Sequence, residues 1–201
     1  MVQLHMNNQP FKHAIALTGG IATGKSTVCS LLKLHGFLTI DADTIAHKLL
    51  DENSAAIALL FGEQYVANNK VLRKELGKII FSNEEAKRKL EAFIHPLIKK
   101  QIEKEAKIFE EQEKPYFIDI PLFFETMHYP ISRSVVVYTP KALEIERLMK
   151  RDHISYDEAL LKISNQMDIE KKKSLATFVI DNSSTLKHLQ QEIENLKEKL
   201  L

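Results

Sequence analysis

The chain has 201 residues, 44% of them hydrophobic and 27% charged, with a formal net charge of +1. That length suits one α/β domain with insertions, and the composition excludes long disorder. The near-neutral balance gives no reason to expect a nucleic acid or a membrane surface as partner, so any basic site must be a local cluster.

In chain order, residues 1–12 are polar, lack an apolar signal core and read as a loose leader before the first strand. Ala14 to Thr18 is a short apolar run closed by Gly19-Gly20, the pattern of a buried parallel strand. From Lys25 to His35 the apolar residues Val28, Leu31 and Leu32 recur at helical spacing, and Gly36 ends the segment. Cys29, the single cysteine, falls in that helix and reads as a small buried hydrophobe. Phe37 to Ile40 is a second strand. It runs into Asp41-Ala42-Asp43, where a helix can start on a carboxylate cap. Such alternation predicts an α/β fold, a parallel sheet covered by helices.

Residues 44–113 are predicted to be helical with no strand, and His95-Pro96 is expected to kink or restart the helix there. The run Ala55 to Phe61 is far short of the ~20 apolar residues of a membrane helix. With one cysteine and no signal core, a cytoplasmic protein is expected. Further strands are predicted at Tyr116 to Ile120, Ser134 to Tyr138 and Phe178 to Ile180, and a closing helix at Ser184 to Leu201. Between them, residues 141–173 carry Lys141, Arg147, Lys150, Arg151, Lys162, Lys171, Lys172 and Lys173, the composition of a mobile cationic cover rather than of core.

The strongest motif is Gly19-Gly20-Ile21-Ala22-Thr23-Gly24-Lys25-Ser26, which fits G-x-x-x-x-G-K-[S/T] at every fixed position. Glycines let backbone N–H groups turn onto phosphate oxygens without a Cβ clash, and the helix starting near Lys25 adds its positive end. Lys25 supplies a point charge for the β/γ oxygens, and Ser26 a hydroxyl ligand for Mg²⁺. Gly20, Ala22, Thr23, Gly24, Lys25, Ser26 and Thr27 are therefore the expected phosphate-binding residues. The alternative is a glycine turn that binds nothing. The motif's place, after an apolar strand and before a helix, argues against it. The chain is too small for a motor and has no N-K-x-D-like run to read guanine, which favours a kinase. Asp41 and Asp43, two apart on what reads as an extended segment, can point into the crevice at the strand ends, and a carboxylate there can take the proton of an attacking hydroxyl. The alternative is that one of the two, but not both, only caps the next helix. Asp119 ends the Tyr116 to Ile120 run as a Walker B acid does, positioned to orient Mg²⁺. Arg147 and Arg151, four apart on one helical face, are candidates to stabilise transferring phosphate.

Together, ALTGGIATGKSTV, Ile40-Asp41-Ala42-Asp43, Ile94-His95-Pro96-Leu97-Ile98, Asp119-Ile120-Pro121-Leu122-Phe123-Phe124-Glu125, Arg147 to Asp152, Asn165-Gln166-Met167 and Val179 to Ser183 resemble the dephospho-CoA kinase family, in the family's order. The resemblance implies a P-loop NTPase three-layer fold in a single kinase domain over 13–201. Its core would be 13–43, 114–140 and 175–201, with a helical substrate region at about 44–113 and a lid at about 141–173. It implies transfer of the ATP γ-phosphate to the 3′-hydroxyl of the dephospho-CoA ribose, with Mg²⁺. Asp43 is then the base, Lys25 and Arg147 act on phosphate, and Ser26 and Asp119 serve the metal. His95, Pro121 and Leu122 lie on the substrate side, and Asn182 near adenine. Its partners would be these two small molecules, in a monomer or weak homo-oligomer. Three departures stand out. Ala22-Thr23 replaces a more usual Gly-Ser pair, tolerable if Ala22 needs no positive φ. Phe124 stands where leucine is commoner, and 171–175 lacks an arginine that relatives often carry. Competing readings are another small-molecule kinase on the same fold, and a regulator that hydrolyses ATP slowly as a switch.

Overall fold

The computed structural model describes residues 10–201. Most of the expected leader lies outside them, but Phe11 is buried and sets its ring edge-on to Tyr129, so ordered packing begins earlier than expected. The chain divides into two compact units, one formed by residues up to Ile40 together with Ala106–Leu201, the other by Asp41–Glu105.

The larger unit is built on a five-stranded sheet in the order β2-β5-β1-β6-β7. Its strands are β1 (Ala14–Gly19), β2 (Thr39–Asp41), β5 (Tyr116–Asp119), β6 (Arg133–Tyr138) and β7 (Phe178–Asp181). β1 is central and pairs in parallel with β5, where Leu17 lies opposite Asp119, and with β6, where Gly19 lies opposite Val137. β6 in turn pairs in parallel with β7. β1 is buried along its whole length, as a strand covered on both faces must be. Helix α1 (Lys25–Leu34) and the closing helix α10 (Leu186–Leu200) bury Val28, Leu32, Leu189, Ile193 and Leu196 against Ile15, Leu17, Phe117 and Val135. From β1 the chain crosses to the edge strand β2, fills the place beside β1 with β5, and then continues on the other side of β1 with β6 and β7. The carboxyl end of β1 is therefore a switch point, where open α/β sheets bind ligands.

After β5 come a short helix, α6 (Phe123–Thr126), then α7 (Lys141–Asp152), α8 (Tyr156–Ser164) and α9 (Ile169–Leu175). α8 starts on a full capping box, Ser155 with Glu158. α7 and α8 share a small core of Ile145, Leu148, Ala159 and Ile163, and Ile21 and Ala22 of the glycine-rich loop pack against it.

The smaller unit holds α2 (Ala42–Glu52), α3 (Ser54–Phe61), a 3₁₀ turn at Glu63–Tyr65, α4 (Arg73–Ser82) and most of α5 (Glu84–Glu110), around Ile57, Val71 and Leu76. Two expectations fail here. A two-stranded antiparallel hairpin, β3 (Val66–Ala67) and β4 (Lys70–Val71), sits where no strand was expected. Its turn residues Asn68 and Asn69 have φ of 51° and 58°, the positive values a two-residue hairpin turn needs and asparagine tolerates. Nor does Pro96 break α5, which runs through it. Asn83 accepts from the N–H groups of Glu85 and Ala86 at the start of the helix, and a buried stripe of Ile94, Ile98, Ile102 and Ala106 holds it on either side of the missing donor.

Candidate active site

The loop after β1 takes its shape from a few residues. Gly24, just before α1, has φ 87°, and its carbonyl accepts from the N–H groups of Thr27 and Val28. A Cβ on Gly24 would stand 2.2 Å from Asn182 Nδ2, so only glycine lets the loop close on that side chain. Ala22 has φ 62°, so the condition under which the Ala22-Thr23 pair was expected to be tolerated, no positive φ at Ala22, is not met. The conformation costs an alanine about 1 kcal/mol, offset by the methyl's packing on the α7–α8 core. Thr23 is fully buried, and its hydroxyl donates to Gly20 O at 2.9 Å.

A polar network joins this loop to two sheet ends. Asn182, after β7, donates its side-chain amide to Thr23 O at 2.8 Å. The buried Thr139 hydroxyl, after β6, lies 3.3 Å from Thr23 O and 3.4 Å from Asn182 O. Arg147 reaches back from α7, donating to Asn182 O at 2.9 Å and Thr139 Oγ1 at 3.2 Å. Asn182 and Arg147 are thus brought to the glycine loop together, and Thr139 is the piece the sequence reading missed. A polar residue directly after the apolar run of β6 was the available signal.

On the other side, the Lys25 ammonium pairs with Asp119, which is 8% exposed. Cys29 donates its Sγ–H to Asp119 Oδ2 at 3.2 Å. Burial, followed by the Asp119 charge, pushes the Cys29 thiol up to about 12, so it stays a neutral donor. It is half-buried and bonded, not the plain hydrophobe expected. Thr18 donates to Pro121 O at 2.9 Å, tying the loop after β5 to β1. Pro121 and Leu122 follow, Leu122 being 40% exposed. Ser26 and Thr27 lie exposed in the first turn of α1.

Asp41 and Asp43 do not share an extended segment. Asp41 is the N-cap of α2 and accepts from Thr44 N at 2.9 Å, while Asp43 is inside the first helical turn, facing solvent. His95 is half-buried within α5 rather than at a helix end.

The cationic block is not uniformly a solvated cover. Arg151 and Lys162 both bind Asp152, holding its carboxyl well below the usual range. Lys173 lies 3.8 Å over the Tyr138 ring. Lys172 is completely buried. Beside it Glu144, 2% exposed and packed on Gly20, is pushed up to about 7, chiefly by burial. The charge pattern alone did not separate these buried groups from their exposed neighbours.

A family model for dephospho-CoA kinase matches residues 13–188. A dephospho-CoA kinase of Sulfurimonas denitrificans is 54% identical over 190 residues, 94% of this chain and 95% of that one. One from Helicobacter pylori is 46% identical over 193 residues, covering 94% and 98% of the two chains. The solved structure of dephospho-CoA kinase from Campylobacter jejuni superposes with a TM-score of 0.73 at 38% identity, covering 93% of this chain and 96% of that one.

Proposed function

This chain belongs to the dephospho-CoA kinase family, and from that premise we propose that it moves the γ-phosphate of ATP to the 3′-hydroxyl of the dephospho-CoA ribose, giving CoA and ADP. The observation that carries the reading is the glycine loop at the switch point, closed by Gly24 on Asn182, with Lys25 and Asp119 together at its mouth.

In this reading, backbone N–H groups from Gly20 to Thr27 receive the donor's phosphates at the positive end of α1. Lys25 exchanges its Asp119 partner for phosphate oxygens, a charge-assisted contact that strengthens as charge spreads over the transferring group. Arg147 adds a planar cation, and Asn182 serves the adenine side. Pro121 and Leu122 shape the acceptor side, with His95 from the helical region at about 44–113. Asp43 orients the ribose hydroxyl and takes its proton. The lid is the segment of about 141–173.

Magnesium fits the residues present. Ser26 and Asp119 offer hard oxygen donors. Among the described residues no cluster of three or more His, Cys, Asp or Glu stands ready to hold a metal alone, so the ion would share its shell with phosphate and water. When bound, it neutralises charge on the bridging oxygens. Among the described residues no helix is long and apolar enough to cross a membrane. A cytoplasmic monomer or weak homo-oligomer belongs to the same proposal.

The test is ADP release with and without dephospho-CoA, alongside nucleosides and nucleoside monophosphates. Turnover dependent on dephospho-CoA is expected. Equal ADP release with no acceptor present would favour a slow ATPase switch, and turnover with a nucleoside alone would move the chain to another kinase specificity.

A further inference from the structure

Lys172 is a lysine with no solvent exposure in a segment whose neighbours Lys171 and Lys173 are exposed. Its ammonium donates to two carbonyls, Gly19 O at 3.0 Å and Pro121 O at 3.3 Å, and pairs with the Glu125 carboxylate, whose Oε1 lies 2.8 Å away. Glu125, on α6, also accepts from Met167 N at 3.0 Å, so both ends of the ion pair tie residues 167–172 to the strand ends. Burying an ammonium and a carboxylate costs several kcal/mol each, and an apolar pair of similar volume generally serves stability as well or better. Packing alone therefore does not account for a lysine here. The two carbonyls it holds are informative. In a trans peptide the C=O and the following N–H point in opposite directions. Fixing Gly19 O fixes the direction of the Gly20 N–H, the first donor of the phosphate loop. Fixing Pro121 O fixes that of the Leu122 N–H, on the proposed acceptor side. Thr18 occupies the other lone pair of Pro121 O, so that plane is set from two directions.

We propose that Lys172 is a positioning residue that sets one peptide plane of the phosphate loop and one of the acceptor loop from a single buried ammonium. α9 delivers that ammonium, and the placement of donor relative to acceptor depends on it. The proposal rests on the functional reading above for which side each loop serves. Misplacing a reacting group by about 1 Å can cost about 10²-fold in rate, the scale expected when both planes are released.

Two variants with opposite consequences test it, read by steady-state kinetics and thermal unfolding. Lys172→Met with Glu125→Met removes both charges, so the melting temperature should stay near wild type, while kcat falls about 10²-fold and both KM values rise. Glu125→Gln leaves the ammonium on its two carbonyls but strips its counter-charge. It should melt earlier yet keep kcat and both KM values close to wild type. If the double variant is as active as it is stable, or if Glu125→Gln loses activity along with stability, Lys172 only holds the fold and the proposal is overturned. A rise in just one KM would also overturn it, since the clamp would then serve one side. Wild type is assayed alongside: absent turnover there contradicts the functional reading instead. Calorimetric ATP binding to the double variant, weaker than wild type if the clamp sets the Gly20 plane and unchanged if it does not, decides the donor half without any acceptor.

Discussion

Lys25 and Glu144 illustrate how little a residue's type says until its surroundings are known. Lys25 opens α1 directly after the glycine loop and pairs with Asp119. Lys25→Ala should leave the fold intact and lower kcat/KM by about 10²-fold or more, since one preorganised charge contact is worth about 3 kcal/mol in a transition state. Lys25→Arg should fail too, because a planar fork does not replace a point charge in a tight loop. Near-normal kcat/KM in either would contradict the phosphate role. Glu144 carries no motif. Burial favours its neutral form, and so do Asp168 and Glu170, while Lys172 and Lys141 oppose them. The sign follows from linkage. Unfolded, the group titrates near 4.5, and folded near 7, so the folded state binds more protons between those values. Its ionisation penalty is absent below 4.5, grows as pH rises and is complete above 7. Glu144→Gln should therefore change stability little at pH 4 and add on the order of 2 kcal/mol at pH 8. Thermal melts of both proteins across that range check it, and an equal difference at both ends would contradict it.

At the scale of elements, the strands were legible because parallel strands buried on both faces read as continuous apolar runs. β1, β5, β6 and β7 fall within a residue or two of their predicted ends. The β3–β4 hairpin was not legible, since its strands are two residues each and too short to show alternation. Only the Asn68-Asn69 turn announces it. Pro96 misled for the opposite reason: the intrinsic cost of an interior proline is real, but the long apolar stripe of α5 outweighs it. α7 presents Arg147 to Thr139 and the Asn182 carbonyl, so the arginine is already anchored beside the phosphate loop. If it acts on transferring phosphate, Arg147→Ala should lower kcat more than it weakens ATP binding. Single-turnover rates compared with calorimetric ATP affinity separate the two, and a loss of affinity with unchanged kcat would make it a ground-state contact.

For the whole molecule, the sequence placed the phosphate loop, the Asp119 strand end and the Asn182 loop, because each hangs on a local pattern. It could not place Thr139, the Cys29–Asp119 contact or the burial of Lys172, which arise only when residues distant in the chain meet. Asp41 closes β2 and caps α2, whereas Asp43 lies inside the first turn of α2. Asp43 is the base that the family resemblance implies and that the proposed reaction uses. Asp43→Asn should cost about 10²–10⁴-fold in kcat with ATP binding retained, and Asp41→Asn should cost mainly about 1 kcal/mol of stability. The reverse ranking in kcat would exchange their roles. Delivery of a phosphoryl group by the glycine loop to one hydroxyl of dephospho-CoA is read from the product by phosphorus NMR. With ATP and dephospho-CoA, wild type should yield a new phosphomonoester resonance on the ribose 3′-oxygen, and Lys25→Ala should yield almost none. ADP accompanied only by inorganic phosphate, or an equal 3′-phosphate signal from Lys25→Ala, would contradict it.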